Sequence, residues 1–145
     1  MDSVAKFSEA GKGCGDEKTC ISAATVRGVC PEGWHLPSKA EFENLFDAVG
    51  GKSVASKALK SIGGWEDDDG NSGNGSDSFG FSALSAGFRD YDGNFCNVGY
   101  QTFFRTSSEY NSSSDYNLHL RYRLEAAYLP NRNKNSGISV RCVRD

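Results

Sequence analysis

Helical periodicity in this 145-residue chain is confined to one stretch, Ser38 to Gly64, and that confinement limits the fold more than any other feature. Ser38 is placed to cap a helix by accepting a bond from a free backbone N–H. Glu41, three residues on, reaches back to close a capping box. Phe42, Leu45, Phe46 and Val49 then fall at i, i+3, i+4 and i+7 and make one apolar face. Gly50-Gly51 stops that helix. Ser53 caps a second, with Val54, Ala55, Ala58, Leu59 and Ile62 on its inner stripe and Gly63-Gly64 at its end.

The rest reads as short strands and turns. Ala24 to Val29 is a candidate strand, and Phe79 and Phe81 alternate with Gly80 and Ser82 as a strand edge or packed turn. Asp90-Tyr91-Asp92-Gly93-Asn94 between Phe88-Arg89 and Phe95 is a hairpin signal. Tyr100 to Phe104 is another strand. Leu118, Leu120, Tyr122 and Leu124 alternate with His119, Arg121, Arg123 and Glu125, which predicts a half-buried strand with a polar outer face. Pro130 to Gly137 reads as a polar turn, and Ile138, Val140 and Cys142 as the inward positions of a last strand. Two early helices followed by many short strands make an α+β pattern. The length suits a single domain over 1–145, with 1–23 poorly patterned and 24–145 the organised core.

Charge narrows the partners. The net charge is −3, which argues against non-specific nucleic-acid binding, and no apolar run approaches the length of a membrane helix. Residues 1–100 carry nine Lys/Arg against fifteen Asp/Glu, whereas 101–145 carry seven against four. The C-terminal third is thus a chemically distinct, basic surface. Residues 1–30 lack the basic-then-apolar order of a secretion signal.

Five cysteines nevertheless favour an oxidising compartment. Cys14 and Cys20 bracket a short polar loop that a bridge could close. A Cys30–Cys142 bridge would pin the last strand beside the start of the helical region, leaving Cys96 free. Five reduced thiols remain the alternative.

The chain resembles the Fibrobacter succinogenes major paralogous domain family. The matching blocks are Gly28 to Pro37 (GVCPEGWHLP), Gly50-Gly51 with Ala58-Leu59-Lys60-Ser61, and Gly64-Trp65. They continue with Asp77 to Leu84 (DSFGFSAL), Ala86-Gly87-Phe88-Arg89, Ser107-Ser108-Glu109 and Ser139 to Asp145 (SVRCVRD). The resemblance implies a C-type-lectin-like fold: two N-terminal helices packed on short, mostly antiparallel strands with long loops. It also implies export, within a larger bacterial surface or secreted protein, and carries no established enzymatic activity. Where relatives commonly have Phe-Trp-Ser-Ser, this chain has Phe104-Arg105-Thr106-Ser107-Ser108. Arg105 must therefore be exposed or have an acidic partner, because an unpaired buried charge is costly. Lectin-like folds of this kind also serve as variable proteins of diversity-generating retroelements, which randomise adenine-rich codons near the C-terminus.

The candidate ligand-binding residues are Arg105, Asn111, Asp115, Asn117, His119, Arg121, Arg123, Tyr128, Asn131, Arg132, Asn133 and Asn135. Tyr and Arg supply contact area and bidentate bonds, and Asn supplies adaptable ones, a mixture suited to a protein or glycan ligand. The expected protein is a monomeric extracellular or cell-surface binding domain. The rival reading is a non-catalytic spacer module of a larger surface protein.

No cofactor is expected. Calcium is the one the fold type raises. Asp67, Asp69 and Asn71 alternate as at the start of an EF-hand loop, but Ser72 and Ser78 stand where Gly and Glu are required. No Cys or His spacing suits a metal, and no residue is assigned to one. Catalysis is not expected: His35 and His119 have no recognisable partner spacing, and the reactive cysteine pair of the related formylglycine-generating enzymes has only Cys96 to draw on. Glu109 is expected to cap a loop, and Trp34 and Trp65 to anchor the core.

Overall fold

The computed structural model describes Glu17 and residues 25–145. In chain order the elements are β1 (Trp34–His35), α1 (Lys39–Ala48), α2 (Lys52–Leu59), β2 (Phe88–Arg89), β3 (Phe95–Cys96), β4 (Gln101–Asn111), β5 (Ser114–Arg121), β6 (Asn131–Asn133) and β7 (Val143–Arg144).

The capping box forms. Ser38 Oγ accepts the Glu41 N–H at 3.2 Å, and Glu41 Oε2 accepts the Ser38 N–H at 2.8 Å. With three of the four orphan N–H groups of a helix start otherwise unpaired, two reciprocal bonds fix where α1 begins. Gly50 and Gly51 follow at φ 106° and 103°, values that favour glycine, and they turn the chain sharply enough for α2 to start at once. Gly51, not Ser53, is therefore the residue before α2.

The end of α2 also differs from the periodicity. The helix stops at Leu59, Lys60 is extended, and Ile62 is 76% exposed rather than on the inner stripe. The Lys60 ammonium accounts for this. It donates to the carbonyls of Arg121 at 3.1 Å and Tyr122 at 3.0 Å, which draws the chain inward at Lys60 and turns Ile62 out.

β4, β5 and β6 form one antiparallel sheet in that order. Phe42 and Phe46 of α1, Leu59 of α2, Trp65, Phe104, Leu118, Leu120 and Ala127 make the core against it. Trp65 is the anchor expected, its Nε1–H donating to Ser61 Oγ and the Ala83 carbonyl at 3.1 Å each. Trp34 is 40% exposed and is not a core residue.

The segment ahead of α1 meets the last strand. Cys30 and Cys142 are joined, with Cα atoms 5.8 Å apart, and β1 pairs antiparallel with β7 beside the bridge. The sulfur link sets the last strand at Val143–Arg144, and Val140 is 39% exposed instead of facing inward. Cys96 is a free thiol. The Cys14–Cys20 pairing lies outside the described residues.

Three further elements depart from the pattern. Val26 makes a single bridge to Leu36 instead of a strand, because Gly28 at φ 55° turns the chain. β4 runs on through Asn111, its polar half pairing along β5 with two register shifts. The expected turn around Pro130 contains β6, which pairs with β5.

Candidate binding surface

Cross-strand register sorts the sheet into two faces. Thr102/Leu120 and Phe104/Leu118 lie together on the core side, and Gln101/Arg121, Phe103/His119 and Arg105/Asn117 on the other. The outer side carries four of the predicted ligand residues, Arg105, Asn117, His119 and Arg121. It is not an open polar surface: Phe88 and Arg132 pack on Phe103 from this side, and the 138–139 segment continues the sheet along the edge of β4 through the Phe104–Ser139 bridge.

His119 stacks on Phe103, with ring centroids 4.1 Å apart and planes 8° from parallel, and its Nε2 lies 2.8 Å from Gln101 Oε1. Burial, then the neighbouring Arg121 and Arg132 charges, pushes its pKa down to about 4, so the ring is neutral at physiological pH. Phe88 packs edge-on against Phe103, and the Arg132 guanidinium sits 4.0 Å from the Phe88 ring centre and 4.1 Å from that of Phe103. Two predicted binding side chains, His119 and Arg132, are thus stacking components of a small second core.

Arg105 has the acidic partner its substitution for an aromatic required. Its Nη1 lies 3.0 Å from Asp115 Oδ2, and its Nη2 donates to the Ser136 carbonyl at 2.6 Å. Burial pushes the Asp115 carboxyl up, and the Arg105 and Lys134 charges oppose that. A second pair, Lys134–Glu109 at 2.7 Å, stands beside it, so Glu109 holds a lysine. Arg105 and Asp115 tie strands together and are not free for a ligand. Asn117 is a correction as well. It is 1% exposed, its amide donates to the Asp115 carbonyl at 2.7 Å, and no partner reaches its Oδ1 among the described residues. Burial within the sheet removes it from any contact surface.

Asn111, Tyr128, Asn131 and Asn135 are exposed, with Arg121 and Asn133 half-buried. The turn after β4 and the turn after β6 lie side by side, the Lys134 N–H donating to the Ser113 carbonyl at 3.0 Å. This places Asn111 and Asn135 at one end of the sheet. Tyr128 pairs with His119 at its middle, and Lys52 Nζ lies 5.2 Å from the Tyr128 ring centre. Arg123 lies elsewhere. β5 ends at Arg121, and Arg123 lines a separate polar cavity of about 330 Å³ with Lys57, Asn74, Tyr122 and Glu125.

The family model of the Fibrobacter succinogenes major domain matches residues 18–144. The chain belongs to the Fibrobacter succinogenes major domain family. In this member the matched span holds both joined cysteines, Cys30 and Cys142, and the whole sheet. No curated protein and no solved structure matches the chain.

Sequence reasoning missed what this family member does with Lys60 and Phe103. A lysine at the end of a helical stripe reads as solvent-facing, yet Lys60 is 2% exposed, and burial pushes its pKa down to about 8. The alternation of β4 puts Phe103 on the nominally polar side, a signal present in the sequence. His35, which has no partner spacing in the sequence, lies 2.7 Å from Asp145 Oδ1 and 2.9 Å from Glu41 Oε1, joining the C-terminal strand to the α1 capping box. Among the described residues no group of three or more His, Cys, Asp or Glu could hold a metal ion, and no helix is long and apolar enough to cross a membrane.

Proposed function

We propose that this domain is an extracellular, surface-displayed recognition module that binds a protein or glycan through the exposed rim of its C-terminal sheet. The observation that carries the reading is a division of labour among polar residues. Arg105–Asp115, Lys134–Glu109 and the Phe103–His119 stack hold the backbone, and Asn111, Tyr128, Asn131 and Asn135 are exposed on it. Side chains on a pre-organised frame lose little conformational entropy when they engage a partner.

Two helices, short antiparallel strands and the bridge between the two ends of the matched region support a C-type-lectin-like arrangement. The bridge also favours an oxidising location. The domain acts as a monomeric, non-catalytic part of a larger surface protein. In the finer form of the reading, the rim is the variable face of a retroelement-diversified protein. A reverse transcriptase gene beside a near-copy of the codons for residues 105–140 is the locus that this form requires.

Protein and glycan arrays probed with the purified chain test the proposal. Concentration-dependent hits that disappear on combining Tyr128→Ala, Asn131→Ala and Asn135→Ala, with thermal stability unchanged, are expected. An absence of hits leaves the spacer reading in place.

A further inference from the structure

The polar cavity around Arg123 carries chemistry that the sheet rim does not use. It lies between the end of α2, the 68–74 loop and the chain leaving β5, and encloses about 330 Å³. That is ample for a hexose ring with a neighbour partly inserted. Its walls are mainly polar, so an apolar ligand would leave amides and charges unsatisfied.

The charges select further. Arg123 is exposed, its guanidinium 6.0 Å from the Tyr122 ring centre, and it makes no hydrogen bond or ion pair among the described residues. Its fork of donors is therefore available to a planar anion. Lys57 adds positive potential from the wall, where its Nζ is held by the Asn74 carbonyl at 3.0 Å. Asp68 and Glu125 line the same space. Their carboxylates would repel a bare phosphate or a dicarboxylate, but they are good acceptors for hydroxyl groups. A ligand that satisfies both halves must combine several hydroxyl donors with one carboxylate. Asn71 Nδ2 donates to the Asp68 carbonyl and Asn74 Oδ1 accepts the Trp65 N–H, which leaves the Asn71 Oδ1 and Asn74 Nδ2 ends of the two amides for the same ligand, and Tyr122 offers an aromatic surface to the C–H face of a sugar ring.

We propose that this cavity binds a uronic-acid unit of an acidic polysaccharide, without calcium, with Arg123 receiving the sugar carboxylate and Asp68 and Glu125 receiving ring hydroxyls. The site is separate from the rim and does not depend on it.

The experiment titrates the full chain with digalacturonate in the presence of EDTA, using calorimetry and amide chemical shifts, with methyl galactoside as the neutral comparison. Saturable binding is expected at millimolar concentration or below, with shifts centred on Asn71, Asn74 and Tyr122. Arg123→Gln, at an exposed position with no hydrogen bond or ion pair among the described residues, should keep the wild-type melting temperature. It should weaken binding at least about tenfold, the loss of one charge-assisted hydrogen bond. Glu125→Gln, which keeps an acceptor, should weaken it less. The rim variants Tyr128→Ala and Asn131→Ala should leave it unchanged. No saturable binding, equal binding of the neutral sugar, or full affinity in Arg123→Gln would each overturn the proposal. Loss of digalacturonate binding in the rim variants alone would move the ligand to the rim, sinking the cavity assignment and leaving the recognition reading intact.

Discussion

Replacing both Cys30 and Cys142 with serine opens a loop with a sequence separation of 112 residues. In the chain-entropy picture, closing a loop of that length stabilises the fold by about 4.7 kcal/mol. Cys30 is 2% exposed, so its serine hydroxyl must also be buried, at a further cost of about 1 kcal/mol where it finds no partner. Little offsets the loss. β1 and β7 share only the Trp34–Arg144 and His35–Val143 pairs, and a ribbon that short does not hold itself together. The expected destabilisation is about 5–6 kcal/mol, a fall in melting temperature on the order of 15–25 °C for a domain of this size. Urea unfolding of the oxidised parent and the double variant gives the first number, and differential scanning calorimetry the second. Hydrogen exchange supplies a local check. The Asp145 N–H, bonded to the Gly33 carbonyl at 3.0 Å, should lose its protection well below the global midpoint. A loss below about 1 kcal/mol, or an Asp145 amide as protected as in the parent, would refute the argument that the bridge, and not packing, holds the C-terminal ribbon.

Opposed histidines should give the stability a maximum in pH. Hydrogen bonds donated to Glu41 and then Asp145 raise the pKa of His35, so its contribution is complete below about 6.5 and fades as pH rises through the raised value. His119, held down to about 4, acts in reverse: its burial becomes costly as pH falls from about 6.5 toward 4. Melting temperature against pH should peak near about 6.5, with His35→Gln flattening only the alkaline limb. An imidazole titration of His119 near its ordinary value would show the ring to be solvated. Gly75→Ala would put a Cβ 2.0 Å from the Lys60 carbonyl oxygen, and should cost about 2–3 kcal/mol in a chemical melt. A cost under about 0.5 kcal/mol would mean the loop yields freely. Arg105→Ala leaves Asp115 half-buried without its partner and should cost about 2–3 kcal/mol, part of it recovered when Asp115→Asn is added. A double-mutant cycle with no coupling would put the pair in the class of idle surface charges.

The elements that were legible in the chain are those whose stabilisation is local. The α1 capping box needs only Ser38 and Glu41, and the hairpin around Gly93 needs only its turn residues, so both were readable. The Cys30–Cys142 link was suggested by placement near the two ends of the patterned region. What was not legible depends on distant partners. Ser53 lost the start of α2 to two glycines whose positive φ values are visible only in three dimensions. Ile62 left its stripe because Lys60 finds carbonyls about sixty positions away. The polar half of β4–β5 alternates as a solvent-facing strand should, but alternation reports which side a residue takes and not what lies over it. Phe88 and Arg132 cover that side, and so His119, Arg132 and Asn117 became structural while Asn111, Tyr128 and Asn131 stayed available.

A domain whose last strand is fastened by sulfur to the segment ahead of its first helix responds to mechanical load in a particular way. Tension applied to the segments flanking Cys30 and Cys142 passes through one covalent link and never reaches the helices or the sheet. A recognition module strung into a filament or an anchored surface chain would then hang beside the line of force like a pendant. Its contact face would keep its shape while the strand carrying it is pulled, and it would yield only once the sulfur link had been reduced.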